Sequence, residues 1–244
     1  MKLCSAFFCL FAGIIFISCN NSDKTKTETT DTTQASTDTS KMQTMPASTI
    51  VTTPQNMVVV THRVKDFAKW LPMYEGHDTA RVAAGLHSYV IGRGAPDSNL
   101  IIIAMKADDW DKAKAFANSK SLKEAMQKGG VISAPAVEFV TELYQDTGTI
   151  QSTLRSRTEF TVKDWNAWKK SFDSTKQIRT DNGLMDRVVG HDAKDDKKVT
   201  IVMAVTDSTK AAAFWKSDQL KKIRAASGVV GEPKRFVYNI VKKY

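Results

Sequence analysis

The chain has 244 residues, of which 42% are hydrophobic and 25% charged, and its formal net charge is +9. This length is sufficient for one large or two small globular domains. The three cysteines, Cys4, Cys9 and Cys19, all lie near the beginning. The remainder of the chain therefore has no disulfide, thiolate nucleophile or cysteine metal site.

The beginning of the chain has the pattern of an export signal. Met1 and Lys2 precede an apolar run from Ala6 to Ile17, which is too short for a membrane span. The run ends in Phe16-Ile17-Ser18-Cys19, which resembles the lipobox of bacterial lipoproteins. We expect residues 1–19 to be a lipoprotein signal peptide and Cys19 to carry the lipid. This predicts a bacterial cell-envelope protein anchored to a membrane on the periplasmic side. Secretion without a lipid and an uncleaved anchor are the alternatives.

Residues 20–56 are expected to form a disordered tether. Thr, Ser, Lys, Asp and Gln dominate this segment, and large apolar side chains are scarce. Such a composition cannot bury enough surface to offset the loss of chain entropy on folding. The tether would hold the folded part away from the membrane.

Positive charge is concentrated in the second half of the folded part. Residues 57–150 contain 11 Lys and Arg and 11 Asp and Glu, whereas residues 151–244 contain 20 and 11. A basic half could contact nucleic acid or anionic lipid. The lysines are scattered without an aromatic stacking motif, so we expect no nucleic-acid partner and favour a solvated face that tolerates a membrane.

The folded part contains an internal repeat. Aligned with an offset of 98 residues and no gap, the 72 positions from Val64 to Pro135 include 24 identities. This indicates a duplication. We therefore expect repeat 1 at residues 57–150 and repeat 2 at residues 151–244.

The first half of each repeat predicts a strand followed by a helix. In repeat 1, Met57–Arg63 is rich in β-branched residues, and Asp66 has the position of a helix N-cap. Gly85 is expected to end this helix. Five residues share one helix face by their spacing: Phe67, Trp70, Tyr74, His77 and Arg81. We expect Trp70 and its counterpart Trp168 to be core residues. Arg81 and its counterpart Arg179 are expected to bind last-turn carbonyls or a carboxylate of the helix–strand loop.

The second half of each repeat predicts two strands, a helix and a final strand. Strands at Leu86–Gly92 and Asn99–Lys106 are separated by a Gly- and Pro-containing turn. Asp109 then caps a second helix, and a last strand follows Pro135 and reaches Tyr144. The order strand, helix, strand, strand, helix, strand is that of the ferredoxin-like βαββαβ unit.

This unit predicts an α+β fold with an unusual requirement. Its helices cover only one face of the sheet, and the other face needs a different cover. Two units in one chain can turn these faces toward each other. The sequence therefore predicts tandem ferredoxin-like repeats that form one fused α/β barrel, an intramolecular pseudo-dimer with a pocket between the sheets.

The repeated motifs resemble a known superfamily. They are Asp-aromatic-x-x-Trp at the start of the first helix, Arg-x-x-x-Gly-Leu at its end, and Gly-Val before a Pro-led last strand. This combination is similar to the dimeric α/β barrel superfamily, and specifically to antibiotic biosynthesis monooxygenase-like domains. The resemblance implies the barrel fold, but the superfamily includes cofactor-independent oxygenases, haem-degrading enzymes and members without a known reaction.

The resemblance also supplies a test for haem. Haem-degrading members use an Asn on the first strand, a Trp on the sheet and a His on the second helix. Neither 109–130 nor 207–228 contains a histidine. Haem degradation is therefore disfavoured, and we expect no cofactor.

Three residues of repeat 1 are candidates for chemistry. His62, His87 and Tyr89 are replaced in repeat 2 by Phe160, Met185 and Arg187, respectively. A tyrosine beside an imidazole or guanidinium can orient a phenolic or enolic substrate. Ordinary packing is the alternative for each residue. His77 adds a third histidine, but none of the histidines has close ligand spacing, and we expect no metal site.

The leading hypothesis is an envelope lipoprotein whose barrel binds an unidentified small, partly apolar molecule. The first alternative is a cofactor-independent, monooxygenase-like enzyme that uses Tyr89 with His62 or His87. The second is a non-catalytic structural or partner-binding envelope module.

Overall fold

The computed structural model describes residues 48–244. The expected signal peptide, with Cys19, and most of the expected tether lie outside these residues. The folded part begins earlier than the sequence indicated, because Ile50 and Val51 already pair with Asp146 and Gln145. Two β-branched residues in a polar segment carry no periodic signal, so only the partner strand identifies them as a strand.

Residues 48–244 form nine strands and eight helices. The helices are all too short or too polar to span a bilayer. A short strand β1 (Ile50–Val51) precedes repeat 1, which comprises β2 (Gln55–Arg63), α1 (Phe67–Gly76), α2 (Asp78–Ala83), β3 (Leu86–Gly94), β4 (Leu100–Ala107), α3 (Trp110–Ala117), α4 (Lys120–Lys128) and β5 (Ala136–Asp146). Repeat 2 comprises β6 (Leu154–Val162), α5 (Trp165–Ser174), α6 (Lys176–Asp181), β7 (Leu184–Asp192), β8 (Lys198–Val205), α7 (Ser208–Lys216), α8 (Asp218–Ala226) and β9 (Val229–Lys243).

The strands form a closed antiparallel barrel. Their order is β5-β2-β4-β3 in repeat 1 and β9-β6-β8-β7 in repeat 2, and β3 pairs with β9 while β5 pairs with β7. The two repeats have the same register, since Met57 opposes Val140 and Arg155 opposes Tyr238. The predicted fold class, two ferredoxin-like repeats in one fused barrel, is confirmed.

The helix boundaries follow local sequence signals. The side chains of Asp66 and Asp109 accept hydrogen bonds from first-turn N–H groups, as predicted for N-caps. Gly85 and its counterpart Gly183 have φ of 67° and 70° at the ends of the helical segments. This left-handed conformation favours glycine, because a Cβ would be strained there.

The expected single first helix is interrupted in both repeats. In repeat 1, α1 ends at Gly76 and α2 begins at Asp78. A buried arginine binds at each interruption: Arg179 donates from Nη1 to the carbonyl oxygen of Phe172 at 2.7 Å and from Nη2 to the Asp186 carboxylate at 2.6 Å. Arg81 binds the carbonyl oxygen of Tyr74 in the same way. These arginines bind helix carbonyls, as predicted in kind, but the carbonyls lie at the interruption, and Asp186 lies on β7 and not in the helix–strand loop. No local sequence signal marks the interruption. The carbonyl group that it frees is satisfied by an arginine side chain seven residues further along the chain.

The core has one cluster on each outer sheet face and one inside the barrel. The outer clusters lie beneath the helices and include Trp70 and Trp168, which are 3% and 2% exposed. Burial of such aromatic side chains contributes a large hydrophobic term. The third cluster consists of Met57, Val59, Ile102, Val140 and Tyr238.

Charged side chains also lie inside the barrel. Arg157 of repeat 2 forms an ion pair with Glu138 of repeat 1 at 2.6 Å and a second one with Glu159. Glu142 is 7% exposed and accepts a hydrogen bond from Gln145. Burial raises the pKa of Glu142 to about 7, although Lys106 and Arg157 act in the opposite direction.

Two glycines allow the repeats to approach at the strand junctions. Gly190 of β7 opposes Glu142 of β5, and a Cβ on Gly190 would lie 2.3 Å from the carbonyl oxygen of Thr141. A Cβ on Gly92 of β3 would lie 2.3 Å from Cδ2 of Tyr238. Both distances are shorter than van der Waals contact. The glycines are therefore required by the closed barrel.

Gly190→Ala is expected to destabilise the protein by about 1–3 kcal/mol, because β5 must move to accommodate the methyl group. The matched control is Gly76→Ala, since a Cβ there meets no atom within 4 Å. Urea unfolding measures both changes. Equal effects of the two substitutions would contradict the requirement for glycine at the junction.

Glu142→Gln is expected to stabilise the protein at pH 8 but not at pH 4.5. Folding raises the pKa of this carboxyl group from its ordinary value of 4.5 to about 7. Below pH 4.5 the Glu142 carboxyl group is protonated in both the folded and the unfolded chain. As pH rises from 4.5 to 7, the carboxyl group ionises first in the unfolded chain, so the free energy of unfolding decreases. The gain at pH 8 is on the order of 2–4 kcal/mol. Urea unfolding at the two pH values tests this, with exposed Glu124→Gln as the control.

Candidate functional site

Three cavities lie against the sheet, two on its helix-covered faces and one in the interior of the barrel. A repeat-1 helix-side cavity of about 100 Å³ lies between the repeat-1 sheet and its helices. The equivalent repeat-2 helix-side cavity measures about 70 Å³. The barrel cavity, inside the closed sheet, measures about 180 Å³. Successive residues of β2 and β6 point alternately to the helices and to the interior, so each strand contributes to two cavities.

His62 lies at the end of β2 and lines the repeat-1 helix-side cavity. The residue is 4% exposed, and neither ring nitrogen has a hydrogen-bond partner within residues 48–244. Its ring packs edge-on against Trp70, with 5.7 Å between the ring centroids. Burial lowers the pKa of His62 to about 4. The imidazole is therefore neutral at pH 7 and presents one unpaired donor and one unpaired acceptor.

The remainder of this cavity is mainly apolar. His77 also lines it and has an unpaired buried Nδ1, and the hydroxyl of Tyr74 is 2.7 Å from Ser88 Oγ. The apolar lining includes Val58, Val60, Met73, Met105, Phe116, Leu122, Met126 and Val137. An apolar chamber with the neutral imidazole of His62 suits a small, weakly polar molecule.

The repeat-2 helix-side cavity occupies equivalent positions but differs in chemistry. Phe160 replaces His62, and Thr175 replaces His77. Ser156 and Arg235 replace valines, and Ser156 Oγ and Arg235 Nε are buried without partners in the described chain. The duplication thus supplied two similar chambers, and only repeat 1 has an imidazole chamber. The loss of symmetry at His62 was visible in the sequence.

Tyr89 lies on the other side of the sheet, where it lines the barrel cavity. Its counterpart Arg187 lines the same cavity and donates to Asp146 at 3.1 Å and to the carbonyl oxygen of Gly148 at 2.6 Å. Burial raises the pKa of Tyr89.

His87 lies on the surface. Its side chain is 48% exposed, and Nε2 is 2.9 Å from the Asp108 carboxylate. The structure therefore does not bring together the three candidate residues His62, His87 and Tyr89. His62 faces the helices, as Val58 and Val60 of the same strand do, whereas Tyr89 of β3 faces the interior.

Sequence reasoning missed most of the charged residues in the barrel cavity, among them Arg155, Arg157 and Glu142. The signal for Arg155 was the alternation of Arg155, Arg157 and Glu159 along β6, where repeat 1 has Met57, Val59 and Thr61. That alternation indicates one face, but not whether the face is the interior. Only the closed barrel shows that these charges are enclosed.

The residues present do not suit a haem or a metal ion. Within residues 48–244 there is no group of three His, Cys, Asp or Glu side chains close enough to hold a metal. The lining of the barrel cavity contains no His or Cys, which are common haem ligands. His62 packs against Trp70 beside a space of only about 100 Å³.

Solved structures share this fold. A candidate monooxygenase from Fusobacterium nucleatum subsp. nucleatum has a TM-score of 0.52 at 12% identity, with 78% of this chain and 93% of that chain covered. An anthrone oxidase-like protein has a TM-score of 0.51 at 13% identity, with 80% and 95% covered. A candidate chlorite dismutase has a TM-score of 0.50 at 12% identity, with 78% of this chain and 96% of that chain covered.

The likeness at these identities concerns the fold alone. No protein-family model matches the sequence, and no curated protein matches it significantly. The architecture that the resemblance implied is confirmed, because the chain forms two fused ferredoxin-like repeats in one barrel and these solved structures share its fold.

Proposed function

We propose that this protein binds a small, partly apolar molecule in the repeat-1 helix-side cavity, with His62 as the polar anchor. The observation that carries the proposal is that both buried ring nitrogens of His62, beside an apolar cavity, lack a partner in the described part of the chain. A buried polar group without a partner costs about 1–3 kcal/mol. A ligand that pairs with the imidazole recovers this cost, which favours binding.

A hydroxyl group is the best match to the imidazole, because it both donates and accepts a hydrogen bond. The cavity volume of about 100 Å³ is below the roughly 150 Å³ of an apolar cavity that accepts benzene. This size favours a short alcohol such as 1-butanol over a polycyclic molecule. A phenol, which is larger than benzene, requires the flexible side chains of Met73 and Met126 in the lining to move aside. The unpaired Nδ1 of His77 offers a second polar contact.

Binding is better supported than catalysis at His62. The imidazole has a pKa of about 4, whereas a phenol has a pKa of about 10. Proton transfer from the phenol to His62 would therefore be uphill by about 8 kcal/mol. The monooxygenase-like alternative rests on the names of proteins with the same fold, and fold alone does not carry an activity.

His62→Phe is expected to weaken binding of phenol at least tenfold. The substitution removes both hydrogen bonds, which are worth about 1 kcal/mol each. It also introduces the residue that repeat 2 already has at Phe160, so the fold should tolerate it. Titration calorimetry with phenol and 1-butanol measures the effect.

The matched control is His87→Phe, which changes an exposed histidine outside the cavity. It should leave phenol binding unchanged. Unaltered phenol binding by His62→Phe would refute the site. Oxygen uptake with a quinol that disappears in His62→Ala would instead favour the monooxygenase-like enzyme.

We propose further that the protein is a lipoprotein of the bacterial cell envelope, anchored on the periplasmic side through Cys19. The support is the sequence alone: an apolar run that ends in Ser18-Cys19, followed by a polar segment. The anchor would hold the binding domain at a membrane surface, where small apolar molecules partition.

Cys19→Ser is expected to abolish incorporation of an alkyne-labelled fatty acid when the full-length chain is expressed in a bacterium. Cys9→Ser, a second cysteine of the same leader, is the control and should retain the label. In-gel fluorescence after coupling to a dye measures both. Label in the Cys19→Ser protein would exclude this lipidation site.

A further inference from the structure

The interior of the barrel has lost the symmetry of the duplication. The inward positions of β2 carry Met57, Val59 and Thr61, and the equivalent positions of β6 carry Arg155, Arg157 and Glu159. The barrel cavity therefore has an apolar side and a charged side. The apolar lining includes Val59, Ile102, Val140, Tyr238 and Ile240.

Two of the three arginines that line the barrel cavity have carboxylate partners. Arg157 binds Glu138, and Arg187 binds Asp146. Arg155 differs, because its Nη1 donates only to the carbonyl oxygens of Ser152 and Leu154, at 2.7 and 3.0 Å. No carboxylate in residues 48–244 forms an ion pair with Arg155, although the residue is only 3% exposed.

A buried cation without a counter-ion is unfavourable. Burial and the nearby Arg187 both lower the pKa of Arg155. Glu142 lies in the same cavity, but its opposite charges are Lys106 and Arg157. The described chain therefore provides no counter-ion for Arg155, and an anion bound in the adjacent space would supply one.

We propose that the barrel cavity is a second binding site, which takes a small organic carboxylate with its charged group on Arg155 and its apolar body against Ile102 and Ile240. A guanidinium binds a carboxylate with two parallel hydrogen bonds, which matches the remaining donors of Arg155. The cavity volume of about 180 Å³ exceeds the roughly 150 Å³ that accepts benzene. A carboxylate of the size of benzoate fits this space.

The ligand has an entrance at one end of the barrel. Thr147, Lys243 and Tyr244 line the cavity where β5 and β9 end, and Tyr244 is 49% exposed. Lys243 at this rim adds positive charge along the approach of an anion. The sheet separates this site from His62, which faces the helices, so the two sites are independent.

Arg155→Met in the full-length protein is expected to weaken benzoate binding at least tenfold. Methionine is the residue that repeat 1 has at the equivalent Met57, which is fully buried there. Titration calorimetry compares benzoate, acetate and inorganic phosphate as probes. Benzoate should bind more tightly than acetate, which lacks the apolar body, and more tightly than phosphate.

The control is Arg63→Met, an exposed arginine paired with Asp97 on the surface. It should not change benzoate binding, and neither should His62→Phe, which separates this proposal from the phenol site. Undiminished benzoate binding by Arg155→Met, no binding by the parent protein at millimolar benzoate, or tighter binding of phosphate would each overturn the proposal.

If Arg155→Met fails to fold, a measurement on the unmutated protein tests whether benzoate binds in the barrel cavity. Nuclear Overhauser contacts between the benzoate ring and the methyl groups of Ile102 and Ile240 are expected, since both residues line the barrel cavity. Contacts to methyl groups of the helix-side cavities instead would overturn the proposal.

Discussion

Closure of the barrel is the constraint on which the rest of this structure depends. Each four-stranded sheet has one face covered by its own helices. The opposite face is shielded from solvent only when the other repeat covers it. The pairs β3–β9 and β5–β7 complete that cover, and the close approach at Gly92 and Gly190 makes it possible. Arg157 and Arg187 of repeat 2 each bind a carboxylate of repeat 1, so the repeats also share charges across the junction.

Duplication followed by divergence gives this fold three different chambers. Because side chains alternate along a strand, β6 contributes Ser156 and Thr158 to a helix-side cavity and Arg155 and Arg157 to the barrel cavity. Substitutions on one face therefore change one cavity without changing the other. The two helix-side cavities retain the same position and differ in polarity, while the barrel cavity combines side chains of both repeats.

Within residues 48–244, the buried side-chain polar atoms without partners lie at the two helix-side cavities. His62 and Ser156 occupy outward positions of equivalent strands, and each faces a cavity beneath the helices. Buried polar groups in folded proteins are nearly always paired, so these exceptions beside a cavity are the observation on which the proposed binding rests. A neutral imidazole with a strongly lowered pKa is a good hydrogen-bonding anchor and a poor base, which gives binding the stronger physical support.

The sequence by itself determined the duplication, the order of strands and helices, the aspartate caps, the glycine ends and the burial of Trp70 and Trp168. These features rest on local signals, namely periodicity, turn residues and a constant offset of 98 residues. Only the tertiary structure decided that His62 and Tyr89 lie on opposite faces of the sheet, that His87 is on the surface, and that Arg155 is enclosed. Alternation along a strand indicates which residues share a face but not which face is enclosed, and the inside of a barrel exists only after distant strands have paired.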